Sequence, residues 1–544
     1  MSYGLAASPF LSSVRVFVVN SNQLSGTLPS QYSFWGSTFA SFQANDNDIT
    51  GTLPEAYKNW TSLNRFDVSS NQLTGTLPSA WSNCTSLEVL DLSNNRLSGT
   101  FPAKIFLKRL PQLRVLDIHN NIFDGSIPVA LIAWWPKLTD FRAESNLFSG
   151  NISSIDDDIV TAFNTIHNWT CSLQVFIITF NKGVFGPLPA SFSSCRNMTT
   201  FQALNLSLTG TLPAAYGEAW ANTITSFNVR FSNLVGTIPD SFAKWTKLIL
   251  FDVGANNLTR NVSAVMQNWR LLETLRLANN QFFGTIPQTL INNSNLIQLY
   301  LHYNRFVGTV DSQLGPGCPS MFHFYVQGNL LTGTLPNSFS AWRNIQRFFV
   351  HNNSFHGTLP SSWADWGPSI QQVNLGNNQF NGSLPPRWYL WSNVSSVSAI
   401  VNQLTGELPE SWGNWSPAGS LTLDRNSLSG TLPNSWGSLP AMSALGVSDN
   451  QLSGPLPFTW SAMKKIFFLG LQGNQNLSGS LVFPPNSSFK LVTICRTGLN
   501  ITSSPTIMSC CLPQDADLTY LYETSSEALS YCGNVVASPS PDQP

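Results

Sequence analysis

Apolar residues recur along this chain in one short rhythm. In Leu87-Glu-Val-Leu90-Asp-Leu92-Ser-Asn-Asn95-Arg-Leu97 the leucines hold positions one, four, six and eleven, and the pattern never widens into the stripe of a long amphipathic helix. Alternation from Val89 to Ser93 has the period of two of an extended strand. It predicts Leu90 and Leu92 pointing inward and Val89, Asp91 and Ser93 pointing outward. Laid against itself with an offset of 24 residues, almost the whole chain superposes on the phrase Asn-x-Leu-Ser/Thr-Gly-Thr-Leu-Pro. The glycine of that phrase returns from Gly26 to Gly479, with Arg260 in its place in one degenerate unit, which makes nineteen units.

A coil of two dozen residues has two apolar edges and no partner of its own, so it gains stability only by stacking on its neighbours. Nineteen strands about 4.8 Å apart would form a stack on the order of 90 Å long. The ninth-position asparagine, Asn95 in the example, is expected to be buried and to satisfy turn amides and carbonyls of adjacent coils, because buried backbone groups need partners. After each Leu-Pro pair come tryptophans, doubled at Trp363 and Trp366, Trp388 and Trp391, and Trp412 and Trp415. A spacing of three puts both indoles on one side of a short 3₁₀ or helical segment. They are expected to fill the core on the side away from the strands.

Two places break the period. The interval from Gly150 to Gly186 is 36 residues long and must carry an insertion near 151–170; past Ser480 the phrase stops, and a last strand, Lys490 to Cys495, leads into a segment with Cys510, Cys511 and Cys532. The organisation expected is an N-terminal remnant (1–13), a repeat solenoid (14–482), a cysteine-containing cap (483–533) and a Pro/Ser-rich tail (534–544). Cys495, Cys510, Cys511 and Cys532 read as a disulfide cap of open connectivity. Cys171 and Cys195, one period apart in the turns before successive strands, are placed to form a bridge. Cys84 and Cys318 have no neighbour of this kind and are expected to be buried thiols.

Charge narrows the partners. Lys and Arg number 27 against 28 Asp and Glu, and charged residues are 10% of the chain, so no basic footprint for nucleic acid exists. No run of apolar residues is long enough to span a bilayer. The opening residues lack a charged segment followed by an apolar one, and Phe17 and Val19 already read as strand. The chain is therefore expected to be a fragment whose signal peptide and anchor lie outside it. An extracellular, cell-surface location follows from the cysteines and from the Asn-x-Ser/Thr sequons, of which Asn59, Asn83, Asn292 and Asn414 share one coil position.

The pattern L-x-x-L-x-L-x-x-N-x-L followed by L-[ST]-G-x-[IL]-P resembles the plant-type leucine-rich repeat of receptor ectodomains and polygalacturonase inhibitors. The resemblance implies an α/β repeat solenoid, a right-handed superhelix or horseshoe with a parallel β-sheet on its concave face and short 3₁₀ or helical segments on its convex face. The spelling Leu428-Ser-Gly-Thr-Leu-Pro433-Asn-Ser-Trp436 is also similar to kinetoplastid surface antigens of the promastigote surface antigen type.

Outward strand positions show one uneven patch. Successive coils carry Gln298, Tyr300 and His302, then His323, Tyr325 and Gln327, then Arg347, Phe349 and His351, and Tyr300, Tyr325 and Phe349 share a column with rings expected about 5 Å apart. Rings and an arginine in a concave site suit a protein or carbohydrate ligand. A second patch, from Arg65 and Asp67 to Arg142 and Glu144, is expected to neutralise itself across coils. No nucleophile with a base, phosphate loop, metal cluster or cofactor motif recurs at a working spacing. The expected function is non-enzymatic recognition or adhesion by a monomer, with a secreted hydrolase inhibitor or a glycosylated surface coat as alternatives.

Overall fold

The computed structural model describes residues 13–106, 109–128, 135–154, 170–415, 419–463, 465–481, 491–501 and 508–509. The chain divides into two compact units, Met1–Phe282 and Phe283–Pro544. In the first, three-residue strands from Val16–Val18 to Thr274–Arg276 pair in parallel, each with the strand of the adjacent coil, as in Arg65↔Val89 and Val89↔Val115. In the second, the same arrangement runs from Gln298–Tyr300 to Leu491–Thr493 and ends on the two-residue strand Met508–Ser509. That last strand, which has no repeat phrase of its own, was not foreseen.

The middle residue of each strand faces the core. Leu90 is 1% exposed and Phe348 is fully buried. Beyond the strand the chain turns through a left-handed residue, Asn94 at φ 54° or Asn377 at φ 51°, and the next asparagine enters the core. Asn95 donates to the carbonyls of Val68, Leu92 and Ser93 at 3.0–3.2 Å and accepts from the Leu73 amide at 2.9 Å. One side chain thereby ties two coils together. The outward reading fails at Ser93, which is only 3% exposed: its hydroxyl donates to Asp91 Oδ1 at 2.7 Å and folds back onto the sheet.

A second, shorter ladder carries the glycine phrase, as at His356↔Gln379. Gly357 has φ +81°, and a Cβ there would stand 2.8 Å from Thr334 Cγ2 of the preceding coil. Glycine is required for both reasons. Proline then opens the 3₁₀ segment: Pro360, at φ −68° and ψ 118°, precedes Ser361–Trp366. Its ring sets the entry angle and it has no amide to leave unpaired.

Both tryptophans of that segment are buried, as their spacing predicts. Trp363, Trp388, Trp412, Trp436 and Trp460 form a column of near-parallel indoles with centroids 6.2–6.4 Å apart. Each indole N–H from Trp388 onward donates to the carbonyl of a proline in the preceding coil, Trp388 to Pro360 at 3.1 Å and Trp412 to Pro385 at 3.1 Å. In this column burial of a large ring therefore leaves no donor unmet, whereas the buried indole N–H groups of Trp220 and Trp342 make no hydrogen bond.

Cys171 and Cys195 are joined, with Cα atoms 4.6 Å apart. Cys495 is also disulfide-bonded; Cys510, Cys511 and Cys532 lie outside the described residues, as does most of the insertion. Cys84 and Cys318 are free and buried, and burial pushes both thiols up to about 12.

Candidate ligand-binding face

In the second unit, strand register puts Tyr300 beside Tyr325 and Tyr325 beside Phe349. Their rings are partly exposed, and each neighbouring pair of centroids is 4.7 Å apart, edge-on for Tyr300 and Tyr325 and stacked for Tyr325 and Phe349. The column expected from the outward positions is present. The flanking column holds Gln298, His323 and Arg347, and the Tyr300 hydroxyl lies 2.7 Å from His323 Nδ1.

His302, Gln327 and His351 follow the strands, and the two histidines pack against the rings. His302 is 5.9 Å from Tyr325, and His351 is 6.1 Å from Phe349. Gln327 is 7% exposed, and its Oε1 makes no hydrogen bond within the protein; neither does His351 Nδ1. Burial holds His351 down at about 4, so the ring is neutral around pH 7.

One participant was missed. Tyr303, 50% exposed, takes the left-handed position at φ 52° that other coils give most often to asparagine or serine and also to Phe180, Phe231 and Val401, and it meets His302 at 5.6 Å. Its ring lies over Gly328 of the next coil, where a Cβ would come within 2.5 Å of it. A tyrosine in a conformation that suits asparagine and a glycine one period later were the available signals.

The charged patch of the first unit closes its ion pairs within coils, while His119 and Glu144 also attract each other across neighbouring coils. Its ion pairs form within a strand and its turn: Arg65 to Asp67 at 2.8 Å, His119 to Asp117 at 2.5 Å and Arg142 to Asp140 at 3.8 Å. Side chains two apart on a strand share a face, so each pair closes before a neighbouring coil is reached. The hydrogen bond to Asp117 raises His119, and burial raises Asp91 and Glu144. Among the described residues, no group of three or more His, Cys, Asp or Glu is placed to hold a metal ion, and no helix is long and apolar enough to cross a membrane.

Asn59, Asn83, Asn292 and Asn414 are each the last residue of a 3₁₀ segment, and all four are exposed. The residue after each, Trp60, Cys84, Asn293 or Trp415, is buried, so the sequon straddles the coil surface.

Family models of the leucine-rich repeat match residues 42–97, 85–129 and 271–293. The fold is that of the leucine-rich-repeat solenoids, and the repeats are of the plant type. Receptor-like protein 39 of Arabidopsis thaliana is 28% identical over 131 residues, 24% of this chain and 14% of that protein. Receptor-like protein 32 of the same plant is 25% identical over 212 residues, 38% of this chain and 22% of the relative. The matches therefore span less than a quarter of either plant protein. Among solved structures, the plant peptide hormone receptor RGFR1 in complex with RGF2 superposes with a TM-score of 0.78 at 24% identity, over 95% of this chain and 78% of that one. A TDR receptor gives 0.78 at 25% identity, over 91% and 86%. The family models and the plant receptor-like proteins support the plant side of the resemblance, and the comparisons give no support to the kinetoplastid one.

Proposed function

We propose that this chain is a non-catalytic recognition protein, displayed outside the cell, that takes its ligand on the sheet face of the second unit. The observation that carries this reading is the column Tyr300, Tyr325, Phe349: three rings in register, 4.7 Å apart and open to solvent, where other strands of the unit present Asn374, Ser398 and Thr422. Large rings left partly exposed on a rigid sheet are apolar area held ready for a partner.

Disulfides and exposed sequons favour an oxidising, glycosylating compartment. Among the described residues, no sequon asparagine falls within a three-residue strand of the sheet face, but the exposed sequon asparagine Asn352 adjoins His351, and a glycan there would partly cover the patch. The plant relatives are named as receptor-like proteins, and solved neighbours are titled as receptors with peptide hormones. These names favour a protein ligand; the carbohydrate alternative rests on the aromatic column alone.

The test is a parallel screen of the folded chain and its Tyr300→Ala/Tyr325→Ala/Phe349→Ala variant against a glycan array and a displayed peptide library. Saturable binding that the triple variant loses is expected. Binding that survives in the variant, or no binding in either library, overturns the proposal.

A further inference from the structure

The aromatic column ends abruptly. After Phe349 the same sheet positions continue as Asn374, Ser398 and Thr422, and the parallel column continues from Arg347 as Gln372, Ser396 and Ser420. Each of these side chains is shorter than the ring or guanidinium before it. The sheet therefore steps down at Phe349 into a groove of about 430 Å³, inside the roughly 300–1,000 Å³ span of small-molecule sites.

Three features of the groove select its occupant. Its one aromatic wall is Phe349. Its floor is made of hydroxyls and carboxamides, which both donate and accept hydrogen bonds. Asn374 has its Oδ1 engaged by the Gly376 amide at 3.1 Å, which leaves the NH₂ end for a ligand. No charged side chain is among the residues that line the cavity; Arg347 flanks it, on the strand of Phe349 and beside Gln372.

From this we infer that the groove bounded by Phe349, Gln372, Asn374, Ser396, Ser398 and Ser420 binds a neutral oligosaccharide. A pyranose ring has an apolar C–H face suited to the Phe349 ring and a rim of hydroxyls that both donate and accept, which is the complement of this floor. An anionic sugar would find no cation in the groove. A peptide could pair its N–H and C=O groups with the hydroxyls, but beyond Phe349 its apolar side chains would have no aromatic surface to bury against. Stacked strands about 4.8 Å apart also repeat the same set of polar groups along the sheet, which suits a ligand that is itself a repeat of sugars. The inference rests on the recognition reading above and adds to it the chemical class of ligand and residues 372–420.

The experiment is calorimetric titration of the folded chain with neutral hexasaccharides (cellohexaose, xylohexaose, mannohexaose, laminarihexaose) and with an oligogalacturonide of equal length. Two groove variants, Ser398→Leu and Phe349→Ala, and a remote control, Phe458→Ser on a 3₁₀ segment, are run alongside. Circular dichroism checks that each variant is folded, and Ser396→Leu replaces Ser398→Leu if that one is not. Saturable binding of at least one neutral hexasaccharide, weakened at least tenfold by either groove variant and unchanged by the control, is expected. Preference for the galacturonide, or neutral binding indifferent to both groove variants, overturns the inference. So does a folded chain that binds peptides through Tyr300 and Tyr325 but no saccharide, an outcome that leaves the recognition reading standing. Absence of both kinds of ligand sinks both.

Discussion

The rings of Tyr325 and Phe349 lie 4.7 Å apart at an interplanar angle of 10°, on adjacent parallel strands and at the same register position. Neither is buried, unlike Phe348 between the two columns. A stacked pair at a surface is worth about 0.5–1.5 kcal/mol, whereas truncating a core phenylalanine costs about 3–5 kcal/mol. Tyr325→Ala is thus expected to shift the urea midpoint slightly and Phe348→Ala severely. Equal shifts would mean that Tyr325 is a structural residue.

The tryptophan column makes a second prediction. Trp388 stacks on Trp363 at 6.2 Å and Trp412 at 6.3 Å while its N–H donates to Pro360. Trp388→Phe removes that donor and leaves a carbonyl unmet, for a loss of about 1–3 kcal/mol. Trp388→Ala opens a cavity as well, for about 3–5 kcal/mol. Thermal unfolding of both variants checks the order.

Asn378 is the clearest test of the asparagine ladder. It donates to the carbonyls of Val350, Leu375 and Gly376, each at 3.1 Å, and accepts from the Phe355 amide at 3.0 Å. Asn378→Leu keeps the branched shape, with somewhat more bulk, but orphans several buried backbone groups, and should destabilise by roughly 3 kcal/mol or more. A loss under about 1 kcal/mol in chemical denaturation would show that water replaces the side chain.

How far these features were legible in the sequence follows from their physics. Leu90, Leu92, Asn95 and the tryptophans obey a period, and period fixes which way a side chain points. The ring column was legible because register is the same in every coil. Ser93 was misread because its hydroxyl turns back onto Asp91, a local bond that alternation ignores. The groove at Ser396 and Ser398 escaped notice because it is made by missing bulk: short polar residues look like ordinary solvated strand until a ring stands beside them. Tyr303 was hidden by its place in a turn, outside the strand template.

Acid should weaken the second unit through His351. Its folded value of about 4 lies below the ordinary histidine value, so its contribution is complete above about pH 6.5 and is lost as the pH falls toward 4. The size is on the order of 3 kcal/mol. His119 has the opposite sign: its value is raised, so its contribution is complete below about 6.5 and fades as the pH rises through the raised value. Stability against pH for His351→Gln should lose the acid-side slope, and His119→Gln the other. A wild-type acid limb kept in His351→Gln would assign the slope elsewhere.

Chain secreted from a eukaryotic host should carry glycan at Asn292 and Asn414, because both end an exposed 3₁₀ segment. Peptide mass mapping reads the occupancy. Asn292→Gln should abolish the modification there and change stability by less than about 0.5 kcal/mol, as surface substitutions do.

Hydroxyl-radical footprinting of the chain with and without a saturating ligand, the hexasaccharide or the enriched peptide, addresses the binding face directly. The peptide should shield Tyr300, Tyr325 and Phe349 from oxidation and the hexasaccharide Phe349, while Phe458, 90% exposed on a 3₁₀ segment, stays as reactive as before. Undiminished oxidation of all three rings at saturation would contradict a ligand site on this sheet.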